Sequence, residues 1–156
     1  MSVAISQGTA MRETGRLPSW LKGLNQAITA LQRPGFVVGS LYVLTLPGRR
    51  SGVLRSTLVS VLTVNDQRYI VAGLDDADWV LNARNSGRGM LHRGRTEEHV
   101  SLVELPVEDR VLILREFPRL IPQGVPSFTR LHGVGADPEA FAALAVRCPV
   151  FQVERR

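Results

Sequence analysis

Apolar residues recur along this chain at two different periods, and the changes of period mark its elements. Leu17, Trp20, Leu21, Leu24, Ile28 and Leu31 fall on one stripe at helical spacing, which predicts an amphipathic helix over Leu17–Arg33. Pro18 suits its first turn, and Pro34-Gly35 stops it. The preceding Met1–Arg16 is polar and rich in small residues, and it reads as a flexible tail. Phe36–Leu46 is apolar and β-branched, a strand or strand pair. Ser56–Val64 is apolar on both faces, the pattern of a strand buried in a closed or packed barrel. Asn65-Asp66 is a turn signal, and Arg68–Ala72 returns as the hairpin partner, ended by Gly73.

Further on, Asp75 or Asp76 is expected to cap a short helix that runs through Asn85 and stops at Gly87. Gly89–Arg93 and Thr96–Leu105 form a second hairpin around Gly94. Pro106 starts a helix through Phe117, and Pro118–Gly135 reads as a long loop holding Ser127, Arg130 and His132. Asp137-Pro138-Glu139 opens a last, well-capped helix, and Pro149–Glu154 is a closing strand. Two hairpins with flanking strands and peripheral helices predict an α+β fold, mainly β, built on a small antiparallel barrel. There is no internal repeat, so 17–156 reads as one domain behind the tail at 1–16.

The chain has 156 residues, of which 44% are hydrophobic and 21% charged, enough for a core without covalent staples. Its single cysteine, Cys148, rules out an internal disulfide framework. His92, His99 and His132 are scattered without ligand spacing, so no metal is expected. No apolar signal region or membrane-length run is visible, which points to a cytoplasmic protein. The amphipathic stripe at 17–33 is expected to cover an open end of the core. Trp20 and Lys22 would also suit an interface, so a substrate-facing helix or weak membrane-surface association through it is the second expectation.

Charge sharpens the picture more by its placement than by its net value of +5. Lys22 is the sole lysine, so the basicity is almost all arginine. Arg49, Arg50 and Arg55 form one acid-free cluster; Arg84, Arg88, Arg93 and Arg95 form another, and acids collect at Asp75-Asp76-Ala77-Asp78 and Glu97-Glu98. Separate basic clusters suggest an anionic partner. Nucleic acid is disfavoured, because aromatics are only 6% of the chain and hardly interleave with the arginines. The focus is Pro47-Gly48-Arg49-Arg50-Ser51-Gly52-Val53-Leu54-Arg55, between two apolar runs. Gly48 and Gly52 would let backbone N–H groups form a concavity, the arginines supply planar forks suited to phosphate, and Ser51 adds a hydroxyl. The competing reading is a solvated turn. Trp79 and Asn82, three apart, share a helix face and would either flank a planar ring or serve as a core tryptophan and a capping asparagine.

The run Leu44–Gly52 followed by Arg55 resembles the signature loop of the deazaflavin (F420)-dependent nitroreductase family. Leu17–Lys22, Arg68–Ala72, Asp78–Arg84, Arg93–Arg95 and Arg147–Phe151 agree in order and spacing. The resemblance implies a split β-barrel of the flavin-reductase and pyridoxamine-phosphate-oxidase type. It implies coenzyme F420, a deazaflavin with a phosphodiester and an acidic glutamyl tail, in preference to FMN. By similarity, Arg49, Arg50, Ser51, Gly52 and Arg55 would hold the phosphate and tail. Leu58 would line the same wall, backbone groups of Val71, Ala72 and Gly73 would meet the ring edge, and Trp79 and Asn82 would flank the cofactor. The implied reaction is hydride transfer from the reduced deazaflavin to a small quinone, enone or nitroaromatic acceptor. A non-catalytic F420 or flavin carrier of the same fold is the alternative, and a homodimer is compatible with either. The family's usual prolines are replaced by Leu54 and Leu58, and no residue is assigned as proton donor; Ser127 and His132 qualify only by their place in the long loop.

Overall fold

A computed structural model describes residues 40–156. The expected tail at 1–16, the helix at 17–33 and the start of the first strand at Phe36 lie outside the described residues. Six antiparallel strands close into a barrel: β1 (Leu41–Pro47), β2 (Leu54–Val64), β3 (Gln67–Val71), β4 (Arg88–Arg93), β5 (Thr96–Glu104) and β6 (Val150–Arg155), in the spatial order β1-β2-β3-β6-β5-β4. Among the described residues, four α-helices accompany them: α1 (Asp78–Ser86), α2 (Val107–Leu120), α3 (Val125–His132) and α4 (Pro138–Ala142). This is the α+β barrel expected from the two hairpin signals. Among the described residues no helix is long and apolar enough to cross a membrane.

Closure follows from strand alternation. Leu44, Leu46, Val59, Val61, Ile70, Leu91, Val100, Leu102, Phe151 and Val153 point inward from all six strands, and Trp79, Val80 and Ala83 of α1 join them. The outer faces of β2, β3 and β6 contribute Leu62, Val71 and Val150 to a second core with α2, α3 and α4. Phe117, Phe128 and Phe141 meet there with ring centroids 4.9–5.5 Å apart. β2 therefore lies between two apolar environments, which is why its sequence is apolar on both faces. At the β2–β3 turn, Asn65 and Asp66 adopt φ of 50° and 65°, the left-handed pair that a tight hairpin needs.

Two expectations are corrected. Pro118–Gly135 is not a long loop: α2 runs through Pro118 to Leu120, a 3-10 turn spans Pro122–Gly124, and α3 follows at once. Pro122 and Pro126 sit in first turns, where a missing N–H costs nothing, and Gly133 closes α3 in the left-handed conformation. The prolines punctuate helix starts, and buried Phe128 repays the ordering of the segment. Nor do Asp75 or Asp76 cap α1. The helix begins at Asp78 behind Ala77, without a side-chain cap, and Asp75 is instead bonded to Arg84 at 2.7 Å.

Candidate functional site

The loop from Gly48 to Val53 joins β1 to β2 in a register that pairs Pro47 with Leu54 and Leu46 with Arg55. Just below it, the Thr45 and Ser56 hydroxyls are hydrogen-bonded at 2.8 Å and buried, pinning the two strands at the loop's base. Gly48 N–H donates to Val53 O at 2.8 Å and Gly52 N–H to Gly48 O at 2.9 Å, with Gly52 at φ 72°. Val53 N–H donates to the Ser51 hydroxyl at 3.2 Å. These amides are spent on the loop itself. Of the expected concavity of backbone donors, the Gly48, Gly52 and Val53 amides are therefore already used within the loop.

α1 supplies the opposite wall. Asn82 is buried, and its Oδ1 accepts from both the Arg49 backbone N–H at 3.0 Å and Arg49 Nη1 at 3.1 Å. Arg49 Nη2 reaches Asp78 Oδ1 at 3.4 Å. Asn82 thus fixes the Arg49 guanidinium by two bonds, and Asp78, one helical turn away on α1, lies beside it. Arg50 and Arg55 are exposed. A cleft of about 260 Å³ lies between loop and helix, lined by Gly48, Arg49, Arg50, Ser51, Arg55, Asp78 and Asn82.

Five residues singled out from the sequence thus meet in one cleft: Arg49, Arg50, Ser51, Arg55 and Asn82. Gly52 shapes the loop without lining the cleft. Leu58 is half-buried on β2, opposite Val43 on the barrel's outer face. Val71 and Ala72 are fully buried in the two cores. Ala72 N–H donates to Pro149 O, and Gly73 O accepts from His132 Nε2 at 2.8 Å, so these backbone groups already have protein partners. Trp79 does not line the cleft; it packs in the barrel interior against Phe151 at 5.6 Å and carries α1, and with it Asn82, from below. Asp78 was missed as a site residue, although its i, i+4 spacing to Asn82 puts both on one helix face.

The second arginine cluster is built differently. Arg84 forms a fork to Glu104 with two bonds of 2.8 Å and also holds Asp75, contacts that raise its pKa further. Glu104 also accepts from buried Arg110 at 3.2 Å. Arg93 stacks over Tyr42, 4.5 Å from the ring centroid. Arg84 and Arg93 are thus engaged by the protein, whereas Arg88 and Arg95 of the same cluster are exposed.

His132 and Ser127 lie on α3 rather than on a loop. Cys148 Sγ is 3.5 Å from His132 Nε2, but burial pushes the thiol up to about 12. The pair lacks the thiolate that a nucleophile needs.

No protein-family model matches this chain, and no curated protein matches it. Solved structures do share its fold. One, described as a domain-swapped dimer, aligns with TM-score 0.53 and 19% identity over 86% of this chain and 97% of that one. Another, an F420-H2 dependent reductase, aligns with TM-score 0.52 and 19% identity over 74% of this chain and 95% of that one. The split-barrel fold is shared with both.

Proposed function

We propose that this chain is an F420-dependent reductase of the deazaflavin-dependent nitroreductase type, acting on a small electrophilic acceptor such as a quinone, enone or nitroaromatic. The observation that carries the reading is the arginine-lined cleft at the β1–β2 loop of a split barrel. Three guanidiniums, the Ser51 hydroxyl and the Asn82 amide converge on a space suited to a phosphodiester and the start of an acidic tail. Arg49 is pre-oriented by Asn82, and Arg50 and Arg55 extend the cationic surface outward. The fold neighbour that is itself an F420-H2 dependent reductase supports the same cofactor. Leu58, outward on β2, would line the same wall as the arginine loop. When bound, the deazaflavin supplies hydride chemistry, while the chain binds it, orients it and excludes water. The dimeric neighbour supports self-association, which light scattering would measure.

Titration of the purified protein with F420 and then FMN tests the reading. Tighter binding of F420, followed by oxidation of its reduced form on adding a quinone or nitroaromatic, is expected. Equal or tighter binding of FMN would overturn it.

A further inference from the structure

The cleft has one feature that an anion site does not need: a carboxylate on its wall. Asp78 lines the same space as Arg49, Arg50 and Arg55, and its Oδ1 lies 3.4 Å from Arg49 Nη2. Its side chain is 69% exposed, so the pair is held open to solvent rather than locked in the core. Arg49 does not need Asp78 to be placed, because Asn82 already accepts from both its backbone N–H and its Nη1. The carboxylate therefore acts mainly through its charge. It offsets one guanidinium and leaves Arg50 and Arg55 as the cations not engaged by this pair.

We infer that Asp78 is a specificity-determining residue that makes the cleft favour a phosphodiester over a phosphomonoester. The inference rests on the reading of the cleft as a phosphate site and names the chemical class it selects. A diester carries one negative charge at any pH near neutrality. A monoester has a second ionisation near pH 6, and at pH 7.5 it carries close to two. The first charge is met by the arginines. The second must be accommodated in a space whose wall already holds a carboxylate, and like charges sharing one small cleft repel even when it is solvated. FMN carries a monoester and F420 a diester, so the discrimination falls between the two flavin-type cofactors.

The test is Asp78→Asn, which keeps an oxygen acceptor for Arg49 and removes only the charge. Dissociation constants are measured at pH 7.5 for F420 and FMN, and for phenyl phosphate and methyl phenyl phosphate, on the wild type and the variant. Both members of each pair should bind more tightly to the variant. The monoester should gain on the order of three- to tenfold more than the diester, the size of one screened unit-charge interaction. Lowering the pH to 5.5, where the monoester loses most of its second charge, should shrink that difference in the wild type. An unchanged monoester-to-diester ratio, or equal weakening of both, would overturn the inference and assign Asp78 to orienting Arg49. Failure of F420 to bind the wild type would overturn the reading of function, while the two phenyl esters, which need only the arginine loop, still report the ratio. A cleft that binds none of the four probes would overturn both.

Discussion

Two arginine groups on opposite flanks of α1 use the same side chain in opposite ways. At the β1–β2 loop, Arg50 and Arg55 stand exposed at a cleft, and among the described residues Arg49 alone of the three is paired with an acid. At the β5–α2 junction, Arg84 and Arg110 converge on Glu104, and Arg110 also donates to the carbonyls of Leu105 and Ala145. In the first group only Arg49 is held in place, and Arg50 and Arg55 face solvent; in the second, Arg84 and Arg110 are satisfied. A guanidinium without internal partners is available to a ligand, whereas one with three to four protein acceptors is a strut. Local charge density along the chain does not separate the two cases. The acids that decide the matter arrive from other elements.

The largest effect should come from breaking the strut. Arg110→Ala strips Glu104 of a buried partner and leaves two carbonyls without their donor. About 2–4 kcal/mol of folding stability should be lost, read by urea denaturation. The affinity of the arginine cleft for its ligand should not change if the folded fraction is compared. A variant as stable as the wild type would remove the distinction between the two groups.

Next in size are Arg50→Ala and Arg55→Ala. Each should weaken F420 binding roughly tenfold to hundredfold, the loss of about 1.5–3 kcal/mol for a charge-assisted contact. Stability should move by no more than about 0.5 kcal/mol, because neither side chain is buried. Added salt should weaken wild-type binding and have less effect on either variant. Unchanged affinity in both would return the loop to a solvated turn.

Arg84→Ala probes the satisfied group. The pair with Glu104 is a good fork but partly solvated, so its loss should cost under about 1 kcal/mol and leave cofactor binding alone. Thermal melting in parallel with titration would show it. A drop in F420 affinity as large as that of Arg55→Ala would reinstate the second cluster as part of the site.

A smaller, pH-dependent effect is expected away from both groups. His92 is buried on β4, its Nε2 has no partner, and burial lowers its pKa below 6.5 despite Glu97 nearby. The unfolded chain then binds more protons at this position than the folded one. Its contribution to stability is full above about pH 6.5 and is lost as pH falls from there towards the lowered folded value. The Glu98 carboxylate, held down by Arg68 and Arg155, loses its contribution only at more acid pH, below about 4.5. Thermal midpoints at pH 7.5 and 5.5 should therefore differ less in His92→Gln than in the wild type. An identical difference in the two proteins would contradict the assignment.

The barrel was legible because its signals are local. Strand alternation, the Asn65-Asp66 turn, Gly87 and the Asp137 cap each act within a few residues, and the apolar run of β2 already showed that both its faces are covered. The helical nature of Pro118–Gly135 was hidden because its prolines look like loop residues until their first-turn positions are known. Within the site, the arginine loop was visible as a contiguous motif. The role of Asp78, the interior placement of Trp79 and the capture of Arg84 by Glu104 were not, because each is fixed by packing or by a contact across elements.

In the proposed function the arginine loop grips the phosphate and acidic tail of a deazaflavin. Its most direct test is the ratio of two dissociation constants for the wild-type protein: that of the deazaflavin chromophore stripped of phosphate and tail, against that of intact F420. At least two charge-assisted contacts separate these ligands, so F420 should bind about a hundredfold more tightly or better at low salt. Equal affinities would mean that the three arginines do not hold the ligand, and the account of the cleft would fail.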